Sequence, residues 1–127
     1  DGLVSATPRE FSLLQNYPNP FSAKGGSASG GNPYTAIRYH LTVPNALDSR
    51  EALANAGISA ANWVDLRVFD VLGRHVTTLV SGLRSAGVHE VQWDGTNERG
   101  ERMPSGVYFY RLIGGSSQIT RKMILSR

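Results

Sequence analysis

Three histidines, His40, His75 and His89, are the side chains of this sequence best suited to move a proton near neutral pH. A hydrolytic triad needs such a base within hydrogen-bond reach of a nucleophile, but none of the three lies near a G-x-S-x-G string. Their spacing also lacks the H-x-H and H-x-x-x-H patterns of metal sites. We therefore predict three strand histidines that face solvent or are half-buried, with no catalytic and no metal-ligating role.

The segment 94–101, DGTNERGE, groups oxygen-bearing side chains as a calcium loop does. It lacks the D-x-[DN]-x-[DN]-G order of an EF-hand loop, and Gly100 stands at the wrong distance along it. We predict that Asp94 and Asn97 form Asx-turns, in which the side chain bonds to backbone two residues further on. Calcium binding is the alternative. The oxygen-bearing residues are Asp94, Thr96, Asn97, Glu98 and Glu101.

The composition narrows the function classes further. Without cysteine the chain has no disulfide, no thiolate metal site and no thiol nucleophile. The net charge of +3 favours anionic partners only weakly, the basic residues are scattered, and no nucleic-acid-binding signature occurs. No stretch approaches the ~20 apolar residues of a membrane span. We expect no cofactor, no nucleic-acid partner and no transmembrane segment, and an enzyme is the least supported class.

The secondary-structure elements predicted to position the histidines and the 94–101 segment are short strands. The 127 residues suffice for one domain, and 14 glycines and 6 prolines indicate many turns rather than long helices. Strand chemistry occurs at residues 11–15, 35–43, 64–70, 75–80, 88–93, 107–113 and 118–127. This number and spacing predict an all-β fold, an immunoglobulin-like or fibronectin-III-like antiparallel β-sandwich of about seven strands. We expect a monomer.

Alternation of apolar and polar residues predicts which side of each strand faces the core. In the third strand Val64, Leu66 and Val68 are predicted to point inward, and Asp65 and Arg67 outward. The second and sixth strands alternate in the same way. Their predicted inward residues are Ile37, Tyr39, Leu41, Val43, Tyr108, Tyr110 and Leu112.

Glycines and one tyrosine mark the predicted turns. Gly73 is the residue best able to take a positive φ between the third and fourth strands, and Gly114 and Gly115 predict a hairpin before the last strand. Gly106 ends a bend at residues 104–106. After this bend Tyr108 is predicted to bond through its hydroxyl to nearby backbone, as in the tyrosine corner of Ig-like folds.

Three segments are predicted to lie outside the strands. Residues 1–10, DGLVSATPRE, look like the tail of a linker from an upstream domain, with the Ig-like domain occupying residues 11–127. Residues 23–32 are rich in Gly, Ser and Ala and are predicted to form a flexible loop. The insert 45–62 is predicted to carry one short helix, because Asp48 can cap it, Glu51 follows three residues later and Gly57 can end it.

The string QNYPNPF, residues 15–21, contains two prolines that restrict the backbone. Pro18 and Pro20 fix their own φ and push Tyr17 and Asn19 toward extended conformations. We predict a rigid bend that plugs an apolar end of the sandwich through Tyr17 and Phe21. A polyproline-type ligand motif is the alternative.

The string QITRKMILSR, residues 118–127, combines apolar alternation with positive charge. Ile119, Met123 and Leu125 are predicted to face the core and to pair with the sixth strand. The basic residues Arg121, Lys122 and Arg127 are predicted to stay outside on the opposite face, available to an anionic receptor surface.

Four strings together resemble one family, the type A C-terminal sorting domain of the bacterial type IX secretion system, which is similar to the Ig-like domain of flagellar hook-capping proteins. The strings are FSLLQNYPNPF, VDLRVFDVLGRHVTTLV, AGVHEVQWDGTNERGERMPSGVYFYRL and TRKMILSR. The resemblance runs from Phe11 to Arg127. It implies a non-catalytic secretion signal and cell-surface anchor at the end of a larger exported bacterial protein. It also implies passage through the periplasm to the cell surface or medium.

The resemblance further implies partners and site residues. The partners would be the outer-membrane secretion machinery, a sortase-like peptidase, and anionic lipopolysaccharide to which the cargo is attached. Carried over by position, the family strings are residues 17–21 (Tyr17, Pro18, Asn19, Pro20, Phe21), 70–74 and 105–112, with basic Arg121, Lys122 and Arg127. The sequence departs from the family in residues 22–34 and in the insert before the third strand.

Two other functions remain open. A carbohydrate-binding module would stack sugars on exposed, coplanar aromatic rings, for which Tyr34, Trp63, Phe69 and Phe109 are candidates. A structural Ig-like spacer or assembly domain would instead pair through an exposed edge strand.

Overall fold

A computed structural model describes residues 11–22, 34–42, 61–114 and 117–127, and for residues 61 and 62 only the backbone. Within these ranges every regular element is a strand, and each overlaps one of the seven segments with strand chemistry. The linker tail, the Gly/Ser loop and nearly all of the insert, including its predicted helix, lie outside the described residues. The strands are Ser12–Leu13 (β1), Thr35–Leu41 (β2), Ala61–Asp70 (β3), His75–Ser85 (β4), Gly87–Trp93 (β5), Gly106–Gly114 (β6) and Ser117–Leu125 (β7).

The strands form two antiparallel sheets. The three-stranded sheet has the order β1-β2-β5, and the four-stranded sheet has the order β4-β3-β6-β7. Between β4 and β5 the chain changes from the four-stranded to the three-stranded sheet across one residue, Ala86. The predicted all-β Ig-like sandwich is therefore confirmed.

The core lies between the inward faces of the two sheets, as the alternation requires. Of the predicted inward residues, Val43 lies outside the described ranges and all the others are buried. Trp93 fills one end of the core, with its ring centroid 5.5 Å from that of Phe21 and 5.3 Å from that of Tyr108. We call this the Trp93 end of the sandwich.

Strand β4 departs from the predicted pattern. Its pairing with β3 shifts register twice, so that Leu79 and Val76 are extra residues opposite β3. Each extra residue is a β-bulge, which reverses the alternation beyond it. For this reason the neighbours Val76 and Thr77 are both buried. The strand also continues beyond its predicted end at residue 80, because residues 81–85 pair with residues 61–65 of β3.

Candidate functional site

The last strand, β7, forms the edge of the four-stranded sheet and pairs with β6 along its whole length. Met123 and Leu125 are buried, and Ile119 packs against the core from a partly buried position. The predicted inward face of β7 is therefore confirmed.

Arg121 does not lie where the sequence analysis placed it. It stands two residues before Met123, so it shares the inward-facing side of β7 rather than the opposite one. Its side chain leaves the sandwich at the sheet edge, and its Nε donates a hydrogen bond to the carbonyl oxygen of Leu13 in β1. The prediction that all three basic residues lie on the outer face is wrong for Arg121, which links the edges of the two sheets.

Arg127 is also engaged by the fold. Its Nε donates to the carbonyl oxygen of Met103, and its Nη2 donates to that of Gly95 at 3.0 Å. Its backbone N donates to Ser105 Oγ at 2.8 Å. Arg127 therefore holds the connection between β5 and β6 and is half-buried, not freely available as predicted.

Lys122 behaves as predicted. It is exposed and lies on the outer face of the four-stranded sheet, opposite Phe109 of β6. Of the three basic residues, it alone makes no side-chain hydrogen bond within the described part of the chain. Lys122 is thus the cation of this strand best placed to meet an external anion.

The 15–21 string connects the two sheets. Tyr17 pairs with Ala36 of β2 through two backbone hydrogen bonds of 3.0 and 2.9 Å, and Phe21 forms a parallel bridge with Leu125 of β7. Asn19 Oδ1 accepts the backbone N–H of Ile124 at 2.9 Å. The peptide bonds before Pro18 and Pro20 are both cis. The string therefore covers the part of the free edge of β7 at Lys122 and Ile124 that an assembly domain could otherwise offer to a neighbour.

The predicted plug is correct for Phe21 and wrong for Tyr17. Phe21 is 1% exposed and packs on Trp93, whereas the side chain of Tyr17 is 80% exposed. The inward position next to Tyr17 is taken by Asn16, whose Nδ2 donates to Thr35 Oγ1 at 3.0 Å. Since neighbouring residues of an extended chain point to opposite sides, Tyr17 faces solvent.

Two tyrosines of β6 form hydrogen bonds through their hydroxyl groups to the backbone of neighbouring segments. The hydroxyl of Tyr108 donates to the carbonyl oxygen of Pro104 at 2.6 Å, which confirms the predicted bond to nearby backbone. The hydroxyl of Tyr110 donates to the carbonyl of Leu14 at 2.8 Å and accepts the N–H of Asn16 at 2.9 Å. Burial raises the pKa of both phenols above the usual value. Gly106 is the first residue of β6 and pairs with Leu125 of β7.

The DVLGR string forms a tight five-residue turn, which we call the 70–74 turn. Gly73 has φ of +83°, as predicted for this position. Asp70 Oδ1 accepts the backbone N–H groups of Leu72 and Arg74, both at 2.9 Å, and Asp70 Oδ2 accepts from Arg74 Nε at 2.7 Å. The hydrogen bond from the Arg74 amide, above all, lowers the pKa of Asp70.

The 94–101 segment forms the predicted Asx-turns. Asp94 Oδ1 accepts from the backbone N of Thr96 at 3.1 Å, and Asn97 Oδ1 accepts from that of Arg99 at 2.9 Å. One side-chain oxygen each of Asp94, Asn97 and Glu101 is thus hydrogen-bonded within the loop itself. Among the described residues no three His, Asp or Glu side chains are grouped to hold a metal ion.

The histidines lie apart. His40 points outward from β2, His89 stacks on Tyr39 with centroids 5.3 Å apart, and His75 at the start of β4 bonds Thr78 Oγ1 at 2.9 Å. His75 is exposed and the other two are half-buried, as predicted. They belong to different surfaces and do not converge on one nucleophile. The described residues include no helix long and apolar enough to span a membrane.

The candidate sugar-stacking rings are dispersed. Phe69 and Phe109 are half-buried register partners, while exposed Trp63 lies six residues from Phe69 along β3, about 20 Å away. Half-buried Tyr34 borders a different cleft beside Trp93. These four rings therefore form no flat platform.

Two antiparallel sheets with this strand order define an immunoglobulin-like sandwich domain. Residues 45–116 match the family described as the FlgD Ig-like domain, which is more than half of the 127 residues. The chain belongs to this family. No curated protein matches the chain.

The chain is similar to parts of several solved structures. Dimeric latent PorU from Porphyromonas gingivalis has 20% identity and a TM-score of 0.58, covering 98% of this chain and 10% of its own. PorZ, described as an essential bacterial surface component of the type IX secretion system of the same organism, has 16% identity and a TM-score of 0.47, covering 89% and 11%. FlgD from P. aeruginosa has 27% identity and a TM-score of 0.39, covering 52% and 50%.

The chain thus spans about a tenth of the PorU and PorZ chains. The family match and the fold shared with PorU confirm, at the level of the domain type, the resemblance that the four strings indicated.

Proposed function

We propose that this chain is a non-catalytic C-terminal sorting and cell-surface anchoring module of a larger exported bacterial protein. The four strings and the FlgD Ig-like family support this function, and the type IX secretion machinery of the outer membrane is the proposed reader. A sortase-like peptidase and anionic lipopolysaccharide are the proposed partners in the attachment of the cargo. The route is through the periplasm to the cell surface or the medium.

One observation carries the proposal: three of the four family strings meet around β7. The 15–21 string holds one edge of the strand, β6 holds the other, and Lys122 remains exposed between them. Because β7 is paired with β6 along its whole length and Lys122 and Ile124 are also hydrogen-bonded on its other edge, the machinery would read a folded surface and not a linear peptide.

The test is export of a reporter. Residues 1–127 are fused to a periplasmic reporter in a bacterium that has the type IX system, and the reporter is expected at the cell surface or in the medium. In a strain that lacks the outer-membrane part of the type IX secretion machinery, the reporter should stay in the periplasm. Periplasmic retention in the competent strain, with the domain folded, would defeat the proposal.

One substitution should impair recognition by the secretion machinery without disturbing the fold. Lys122→Gln removes an exposed charge and should leave the domain folded while reducing export. Arg121→Gln or Arg127→Gln would also remove hydrogen bonds to the fold. Arg99→Gln is the matched control, because Arg99 is exposed and distant in the loop after β5. Equal export of both variants would show that Lys122 is no part of the signal.

A further inference from the structure

The outward faces of the two sheets arrange their charges in opposite ways. On the three-stranded sheet Arg38 faces Glu90 in register, and the two form an ion pair of 3.1 Å. On the four-stranded sheet Arg67 of β3 faces Arg111 of β6. Like charges directly opposite each other destabilise a sheet, so the fold itself gives no reason for the second arrangement.

Within the described residues, a carboxylate neutralises Arg67 but not Arg111. Arg67 donates through Nε and Nη2 to the two carboxylate oxygens of Asp65, at 2.6 and 3.0 Å. Arg111 has its guanidinium carbon 4.5 Å from the ring centroid of Phe69, and its Nε is out of solvent without a hydrogen-bond acceptor in the described ranges. Stacking on a ring orients a guanidinium without neutralising its charge.

Lys122, which has no ion-pair partner in the part of the chain that the structure describes, lies beside Arg111. Arg111 pairs with Thr120 and Phe109 pairs with Lys122, which makes Lys122 a diagonal neighbour of Arg111, at about 7–8 Å between Cα atoms. Long side chains reach each other at that separation. Arg111 and Lys122 therefore form a cationic centre on this face, with Arg67 at its border.

Apolar side chains flank the cationic centre along the sheet. Toward one end Trp63 and Leu83 are register partners that are 60% and 65% exposed. Toward the other end Ile124 is exposed next to half-buried Val107. Exposed aromatic and arginine side chains in one patch are typical of protein interfaces.

We propose that the outward face of β3, β6 and β7 is a docking surface for a partner protein that presents carboxylates between apolar side chains. A guanidinium pairs well with a planar carboxylate, and the flanking residues supply apolar contact. A second copy of this chain would bring its own cations to the same face and be repelled. Phosphate alone would leave the apolar ends unused. The inference stands on the sheet face and holds whether or not the domain directs export.

The test is an NMR titration of the isotope-labelled chain, residues 1–127. The probe is a blocked peptide of alternating Glu and Leu, and the control peptide carries Gln in place of Glu. Saturable shifts of the backbone amides of Arg67, Arg111 and Thr120 are expected with the Glu peptide only. Lys122→Gln should weaken binding about two- to fivefold, whereas Arg38→Gln, on the other sheet, should leave it unchanged.

Three outcomes would overturn the proposal. One is the absence of saturable shifts on these strands in a chain whose spectrum shows it folded. Another is equal binding of the Gln peptide, which would make the contact purely apolar. The third is tighter binding of inorganic phosphate at matched ionic strength, which would assign the face to phosphate groups.

Discussion

The chain builds the same five-residue turn twice, at residues 70–74 and 97–101. In each turn the first side chain accepts the N–H groups of the third and fifth residues, at 2.9 Å throughout. In each the backbone N of the first residue donates to the carbonyl of the fifth at 2.9 Å, and the fourth residue is a glycine, with φ of +83° or +80°. The two turns border one open cleft of 340 Å³ at the Trp93 end.

The turns differ in their closing side chains and in their attachment. Asp70 pairs with cationic Arg74, whereas Asn97 donates through Nδ2 to Glu101 Oε1 at 2.8 Å. The 70–74 turn joins two strands of the four-stranded sheet, whereas the 97–101 turn belongs to the long connection between β5 and β6. A hydrogen-bond acceptor at the first position and a glycine at the fourth are therefore enough to specify the backbone geometry of the turn. The elements that each turn connects determine how much stability is lost when this geometry is disrupted.

The two turns should differ in stability cost when their glycine is replaced, because the 70–74 turn joins two strands of one sheet and the 97–101 turn lies in a longer connection. Gly73→Ala should destabilise the domain by about 1–2 kcal/mol, because a side chain in this left-handed conformation is strained. Gly100→Ala carries the same local strain but should cost less, since its loop can open without disturbing a sheet. Urea denaturation of both variants measures the difference. Equal losses would contradict the role given to attachment.

The next prediction concerns charge in the 70–74 turn. Hydrogen bonds from the Arg74 amide, and then from the Arg74 side chain and the Leu72 amide, hold the pKa of Asp70 below its usual range. A carboxylate whose pKa is lowered by folding stabilises the protein above its unfolded-state pKa, and this contribution is lost as pH falls through the folded value. Asp70→Asn should therefore lower the melting temperature by a few degrees at pH 7.

The same variant should show a smaller deficit in acid. The gap in melting temperature between wild type and Asp70→Asn should narrow as pH falls below about 4, the unfolded-state value of an aspartate. Circular dichroism melts between pH 7 and pH 2 follow this gap. A gap that stays constant over the whole range would mean that the charge of Asp70 does not stabilise the turn.

A double-mutant cycle can convert one turn into the other. Asn97→Asp alone should destabilise, because the new carboxylate faces Glu101 and no longer donates to it. Adding Glu101→Arg recreates the Asp–Arg closure of the 70–74 turn, and the favourable coupling between the two changes should be about 0.5 kcal/mol. Chemical denaturation of the four proteins gives this coupling. A coupling near zero would show that the closing pair contributes nothing.

Most of the fold could be predicted because its signals are local. Strand-type residues between turn residues located every described strand, and the inward residues of β6 followed from the alternation of Tyr108, Tyr110 and Leu112. The Asx-turns followed from Asp94 and Asn97 in the same way. The bulges of β4 have no such signal, because they arise where β3 and β4 must stay paired despite unequal lengths.

The candidate site was predicted less well, since its contacts join distant parts of the chain. Arg127 bonds to the carbonyls of Gly95 and Met103, and the exposure of Tyr17 follows from the buried position of Asn16. Neither could be inferred from neighbouring residues. In contrast, the side of β7 on which Arg121 lies could be predicted from the sequence, because Arg121 stands two residues before the inward-facing Met123.

Substitutions at the second and third positions of the turns should change the stability of the domain least. Val71 and Leu72 are 64% and 73% exposed, and the corresponding positions of the other turn hold the exposed residues Glu98 and Arg99. If the turn geometry leaves these positions free, the double change Val71→Glu and Leu72→Arg should alter the free energy of unfolding by no more than about 0.5 kcal/mol. Urea denaturation measures it, with Gly73→Ala as the destabilised reference. A loss as large as that of the reference would mean that the 70–74 turn depends on apolar contacts that its exposed residues do not reveal.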